Sequence, residues 1–211
     1  MARTRTMRRR QKRRARRTKT SFAKKVNKVL VGKKEKKYLI QGLSGTVTTT
    51  GSLVSLDSYI VEGDDSVNRD GRVCVMKSVR FLGQFKPGDD YNVIRYGVVQ
   101  SRIGPIASIG TLFEGGVAGV NTMLNTQKVN ILYDKYVNMT YNAWDGVLIP
   151  PTYSGPNLHL QNVNIPISKR LQYTDTTGSA NKPIYYFVLS DSLAAPHVEY
   201  LGNVKIKFYD V

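Results

Sequence analysis

Arg72-Val73-Cys74-Val75-Met76-Lys77-Ser78-Val79-Arg80-Phe81-Leu82-Gly83-Gln84-Phe85-Lys86 alternates apolar and polar residues with a period of two. Val73, Val75, Val79, Phe81 and Phe85 fall on one face, broken by Lys77 and Gly83. Arg72, Ser78, Arg80, Gln84 and Lys86 fall on the other. The pattern predicts one long strand with a single face on a core. Pro87-Gly88-Asp89-Asp90 follows as a turn.

The same texture extends in both directions. Strand character begins at Tyr38, and 41–56 is rich in Thr, Ser, Val and Gly. Residues 92–102 form a strand through Val93, Ile94, Tyr96 and Val98. Residues 127–141 set Val129, Ile131, Tyr133, Val137, Met139 and Tyr141 against Asn130, Asp134, Asn138 and Thr140. Further strands are predicted near 157–173, 183–190 and 197–209. In the last, Val204, Ile206 and Phe208 face away from Lys205, Lys207 and Tyr209. Two stretches break the pattern. Residues 104–125 read as a long connection with room for a short helix, and 145–156 as a Pro/Gly-rich loop; both are candidates for outward-facing loops. Seven or eight strands, no repeats and no strand–helix alternation predict an all-β, two-sheet antiparallel sandwich.

The charge is placed very unevenly. Residues 1–37 hold nine Arg and nine Lys against Glu35 alone, which accounts for the whole formal net charge of +17. The other 14 basic and 14 acidic residues, in 38–211, cancel. A single-sign block repels itself, reads as disordered over 1–20, and seeks a polyanion. The expected domains are therefore a basic arm, 1–37, and a folded domain, 38–211. Within the arm, Arg3, Arg5, Arg8, Arg9, Arg10, Lys12, Arg13, Arg14, Arg16, Arg17, Lys19, Lys24, Lys25 and Lys28 are the candidate nucleic-acid-binding residues. The clusters at 8–10, 12–14 and 16–17 also fit a nuclear import signal, with an import receptor as partner.

Residues 21–31 differ from the rest of the arm. Thr20 or Ser21 can cap a helix, and Phe22, Val26, Val29 and Leu30 recur at helical spacing. Lys24, Lys25 and Lys28 take the other face, and Gly32 can end the turn. A helix this short needs a partner to be stable.

Little in the sequence suggests enzyme chemistry. Cys74, the one cysteine, lies in an apolar strand and reads as a packing residue. His159 and His197 have no metal-ligand spacing around them and read as surface or loop residues. There is no Walker loop, HExxH or GxSxG, so no catalytic residue and no cofactor is expected. No apolar stretch approaches a membrane span, and no apolar run follows the N-terminal charge as in a secretory signal. Gly63-Asp64-Asp65 lies in an acidic turn. Glu62, Asp64, Asp65 and Asp70 are candidates for a structural Ca²⁺ site; a solvated loop is the simpler reading.

The chain resembles the single jelly-roll coat proteins of small viruses. That group includes the coat protein of satellite tobacco necrosis virus and those of small circular single-stranded DNA viruses. The residues that carry the resemblance run in family order: Lys36-Lys37-Tyr38-Leu39-Ile40; the connector Ile60-Val61-Glu62-Gly63-Asp64-Asp65-Ser66-Val67-Asn68-Arg69-Asp70-Gly71; Ile94-Arg95-Tyr96-Gly97-Val98-Val99; Lys128–Asn138; Val163-Asn164-Ile165-Pro166-Ile167; and Tyr185–Ser192. The resemblance implies an eight-stranded jelly roll, a homo-oligomeric icosahedral shell of sixty copies, and a packaged single-stranded genome. The import-like clusters favour DNA over RNA, with the virion and the host nucleus as locations. A cellular nucleic-acid-binding protein of ribosomal or chromatin type shares the basic tail, but would be expected to carry basic residues on its folded domain too. A sandwich-fold enzyme or lectin would need a site constellation absent from the sequence.

Overall fold

The computed structural model describes residues 35–88, 91–140, 158–174, 178, 180–193 and 195–211. The arm residues named above, the helix expected at 21–31 and the loop at 145–156 lie outside them. The chain divides into two units between Glu35 and Lys36, and the second is described here.

Eight strands form it: β1 (Lys36–Val47), β2 (Ser52–Ser55), β3 (Val73–Lys86), β4 (Tyr91–Ser101), β5 (Val129–Thr140), β6 (His159–Gln172), β7 (Ile184–Ser190) and β8 (Val198–Asp210). Sheet A has the order β1-β8-β3-β6 and sheet B the order β2-β7-β4-β5. Every pairing is antiparallel. β4 pairs with β5, β3 with β6, β2 with β7 and β1 with β8. The chain is thus one long hairpin rolled up on itself, which is the jelly-roll topology.

The stretch 41–56, uniform in sequence, is shared between the two sheets. Gly51 makes the corner: its φ is +65°, and a Cβ there would lie 2.7 Å from the Val188 carbonyl oxygen. The strands after it fall within a few residues of their expected limits, because their apolar positions line one core. Phe81, Phe85, Tyr96, Tyr186, Tyr200 and Phe208 are at its centre.

The phase of β3 differs from expectation. The register with β6 and β8 slips between Met76 and Ser78, a β-bulge at Lys77. An extra residue reverses the in–out alternation. Cys74 and Met76 are therefore buried before the bulge, and Val79, Phe81 and Phe85 after it, while Val73 and Val75 turn to the outer face. A second slip, at Leu132 in β5, interrupts the register with β4 between Val98 and Val99.

Gly83 breaks the apolar face for another reason. It sits opposite Gly202 on β8, and Tyr200 lies over the pair. From there the Tyr200 hydroxyl donates to Gln161 Oε1 on β6 at 2.9 Å. A Cβ on Gly83 would meet the Leu201 carbonyl oxygen at 2.7 Å and Tyr200 Oη at 3.1 Å. Gly83→Val is expected to cost about 1–3 kcal/mol by overpacking. A lower urea midpoint at unchanged slope would show it.

The connection expected to be an outward loop packs flat on sheet B. Residues 102–128 carry two 3-10 turns, Ile109–Leu112 and Glu114–Gly116. Leu112, Phe113, Val120 and Leu124 bury against Val99, Tyr185, Phe187 and Leu189 as a second core. Hence β4 and β7 are buried on both faces. Arg95 fastens the layer. It is bidentate to Asp134, at 3.0 and 2.8 Å, donates to the Val120 and Thr122 carbonyls, and stacks against Tyr136.

Candidate nucleic-acid interface

The acidic connector is tied down by its own cation. Arg69 is fully buried, pairs with Glu62 at 3.0 Å, donates to the Gly71 carbonyl and lies 4.1 Å over the Tyr173 ring. Asp70 pairs with Lys37. Two of the four carboxylates weighed as a Ca²⁺ cage thus hold protein cations. Among the described residues, no group of three His, Cys, Asp or Glu side chains is placed to hold a metal ion.

Lys37 is the second residue of β1 and only 3% exposed. It pairs with Asp70 and, at 3.2 Å, with Asp210 at the end of β8. Although it counts toward the N-terminal charge block, it serves the sandwich. β1 begins two residues before the change of texture at Tyr38.

Asp57 carried no signal in the sequence. It is buried and accepts hydrogen bonds from the Ala180 N–H at 2.8 Å, the Ile184 N–H at 2.9 Å and the Ser55 hydroxyl at 2.9 Å. Burial pushes its carboxyl above the usual range, and these hydrogen bonds oppose the shift. It joins the start of the sandwich to the β6–β7 connection and is structural. Burial pushes the Cys74 thiol up to about 12, so this side chain is a packing residue. His159 opens β6 instead of lying in a loop, and stacks on Phe85 at 6.3 Å; burial, aided by Lys135, lowers its pKa. His197 bonds Ser192 at 3.2 Å.

Among the described residues, the outer face of sheet A gathers basic side chains from all four of its strands. Strand register sets it out in rows. Lys36, Tyr209, Val75 and Arg170 form the first, and Tyr38, Lys207, Ser78 and Pro166 the next. Ile40, Lys205, Arg80 and Asn164 follow, then Gly42, Asn203, Leu82 and Asn162. Lys86 opposes Glu199 at the far end, and the two pair at 3.3 Å. Along each strand the outward residues stand about 6.8 Å apart. Lys36, Arg80, Arg170, Lys205 and Lys207 thus share the face with no carboxylate beside them in those rows. Lys77, extruded by the bulge, joins them: its Nζ lies 5.0 Å from the Tyr209 ring. Lys205 Nζ lies 4.1 Å from the Tyr38 ring. Arg80 is held by Asn162 Oδ1 at 3.1 and 3.3 Å.

Sequence reasoning missed this face because charges sum to zero over 38–211. Among the described residues, the acids of sheet A stand only at the two ends of β8, Glu199 and Asp210, and the rest lie in the connector, in loops and on sheet B. The available signal was Lys205-Ile206-Lys207 read together with Arg80 at strand period.

No family model matches the chain, and no curated protein matches it. Solved structures similar to it include the capsid of cyanophage Pam1, at 12% identity and TM-score 0.34 over 84% of this chain and 86% of that one. Turnip yellow mosaic virus gives 12% identity and TM-score 0.32, over 82% and 91%. The 60-mer BFDV capsid protein gives 6% and 0.33, over 82% and 91%. At this level of likeness, the architecture rests on the strand order of the chain itself.

Proposed function

We propose that the chain is a viral coat protein that closes into an icosahedral shell of sixty copies and packages a single-stranded genome through its basic arm. One observation carries the reading: a neutral jelly-roll sandwich follows directly on a segment that holds the whole net charge. In such a division of labour the sandwich makes the wall, and the arm neutralises phosphates by releasing their counterions. Arg3, Arg5, Arg8 to Arg10, Lys12 to Arg14, Arg16, Arg17, Lys19, Lys24, Lys25 and Lys28 are the residues we assign to that task. The import-like clusters favour DNA, and a nuclear stage, over RNA. The basic face of sheet A lends some support to a ribosomal or chromatin-type protein, which would bind nucleic acid without enclosing it. Nuclease treatment of the purified protein separates the two. The coat-protein reading expects a protected single-stranded species to survive with the particles. Complete digestion of all copurifying nucleic acid would contradict it.

A further inference from the structure

We propose that the outer face of sheet A is a second nucleic-acid site, separate from the arm and selective for unpaired bases. The proposal rests on the reading of the ligand as single-stranded nucleic acid. Its centre is the pair Tyr38 and Tyr209, on neighbouring strands and diagonal to each other, since Tyr38 opposes Lys207 and Lys36 opposes Tyr209. Tyr38 is 52% exposed. Lys205 lies over the Tyr38 ring at 4.1 Å and Lys77 over the Tyr209 ring at 5.0 Å.

An exposed cation–π contact is weak, and a phosphate is the better partner for an ammonium. A strand laid on this face would draw Lys205 and Lys77 to its phosphates and leave the two rings for its bases. Lys207 and Arg80, on the same face, extend the phosphate track. A duplex presents the same phosphates but keeps its bases stacked inside, so it can use only half of the site. Stacking on aromatic rings tolerates any base, so the site selects strandedness and not sequence.

The test uses the full-length chain with arm residues 8–10, 12–14 and 16–17 replaced by Gln, to remove about half of the arm's contribution. Binding of a fluorescein-labelled oligo-dT and of a hairpin duplex is followed by anisotropy across a salt series. The single strand should bind about tenfold tighter than the duplex. Tyr38→Ser with Tyr209→Ser should remove that preference and leave duplex binding unchanged, whereas Tyr38→Phe with Tyr209→Phe should keep it. Lys205→Gln with Lys207→Gln should weaken both ligands and lower the salt slope by about 1–2. The same charge change at Lys128 and Lys182, off this face, should not. Serine variants that still prefer the single strand, or equal losses from the two lysine pairs, would overturn the proposal. An arm-substituted chain that bound neither ligand would also overturn it, while leaving the arm reading intact. Arm substitutions that left affinity and slope at wild-type values would instead count against the arm.

Discussion

Replacing Arg8-Arg9-Arg10, Lys12-Arg13-Arg14 and Arg16-Arg17 with glutamine is expected to roughly halve the nucleic acid packaged per particle. If sixty copies assemble, arms of residues 1–35 that each carry +15 bring a charge on the order of 1,000, enough for about that many phosphates. A natural load of about one to two kilobases follows, since the protein need not neutralise every phosphate. The three clusters supply eight of the arm's cations. Removing them should also lower the slope of log affinity against log salt by up to about 5–6 for a single strand. Shells should still form, because the two cores described above are complete within residues 36–211. The measurements are the length of the nuclease-protected species and a salt titration of binding. Full-length nucleic acid with an unchanged slope would remove packaging from the arm and leave nuclear import as its remaining role.

Arg95→Ala is expected to destabilise the sandwich by about 3–5 kcal/mol. The guanidinium is almost wholly buried, bidentate to Asp134, and caps two carbonyls of the 102–128 connection. Without it those carbonyls lose their donor, and the second core loses the clasp that holds its outer layer on sheet B. For a domain of this size each kcal/mol shifts the melting temperature by about 2–4 °C, so a fall of roughly 10 °C is expected. Arg95→Lys should recover only part of it, because an ammonium cannot make the bidentate pair. A double-mutant cycle with Asp134→Ala checks the pairwise part. A loss below about 1 kcal/mol would show that the connection is held by apolar packing alone.

What was legible in the sequence follows from what a period of two can carry. Alternation shows where a strand lies whenever one face meets a core, and so β3, β6 and β8 appeared at nearly their observed limits. It cannot show a bulge. The single extra residue at Lys77 moved Val73 and Val75 to the face opposite Val79, and in the sequence it looks like one polar interruption. Nor does alternation reveal that both faces of β4 and β7 are covered. Ile94-Arg95-Tyr96-Gly97-Val98 reads as an ordinary strand, and its arginine gives no sign of being the clasp for a connection some 25 residues later. Net charge behaved similarly. It marks out the N-terminal block, because there the charges are contiguous. It hid the basic face of sheet A, because those cations are brought together only by strand pairing. Lys37 shows the reverse: counted with the arm, it is spent on Asp70 and Asp210. For the acidic connector, composition offered a solvated loop first and a cation site second; Glu62 pairs instead with Arg69, whose own sequence neighbours did not mark it as buried.

The central claim is assembly, and the direct measurement is electron microscopy of the purified full-length protein, with the particle mass determined on the same sample. The account predicts uniform closed shells of icosahedral symmetry whose protein mass is about 1.4 MDa, sixty times the 23.7 kDa chain. A monodisperse monomer or small oligomer, forming no shells with or without added single-stranded nucleic acid, would contradict it.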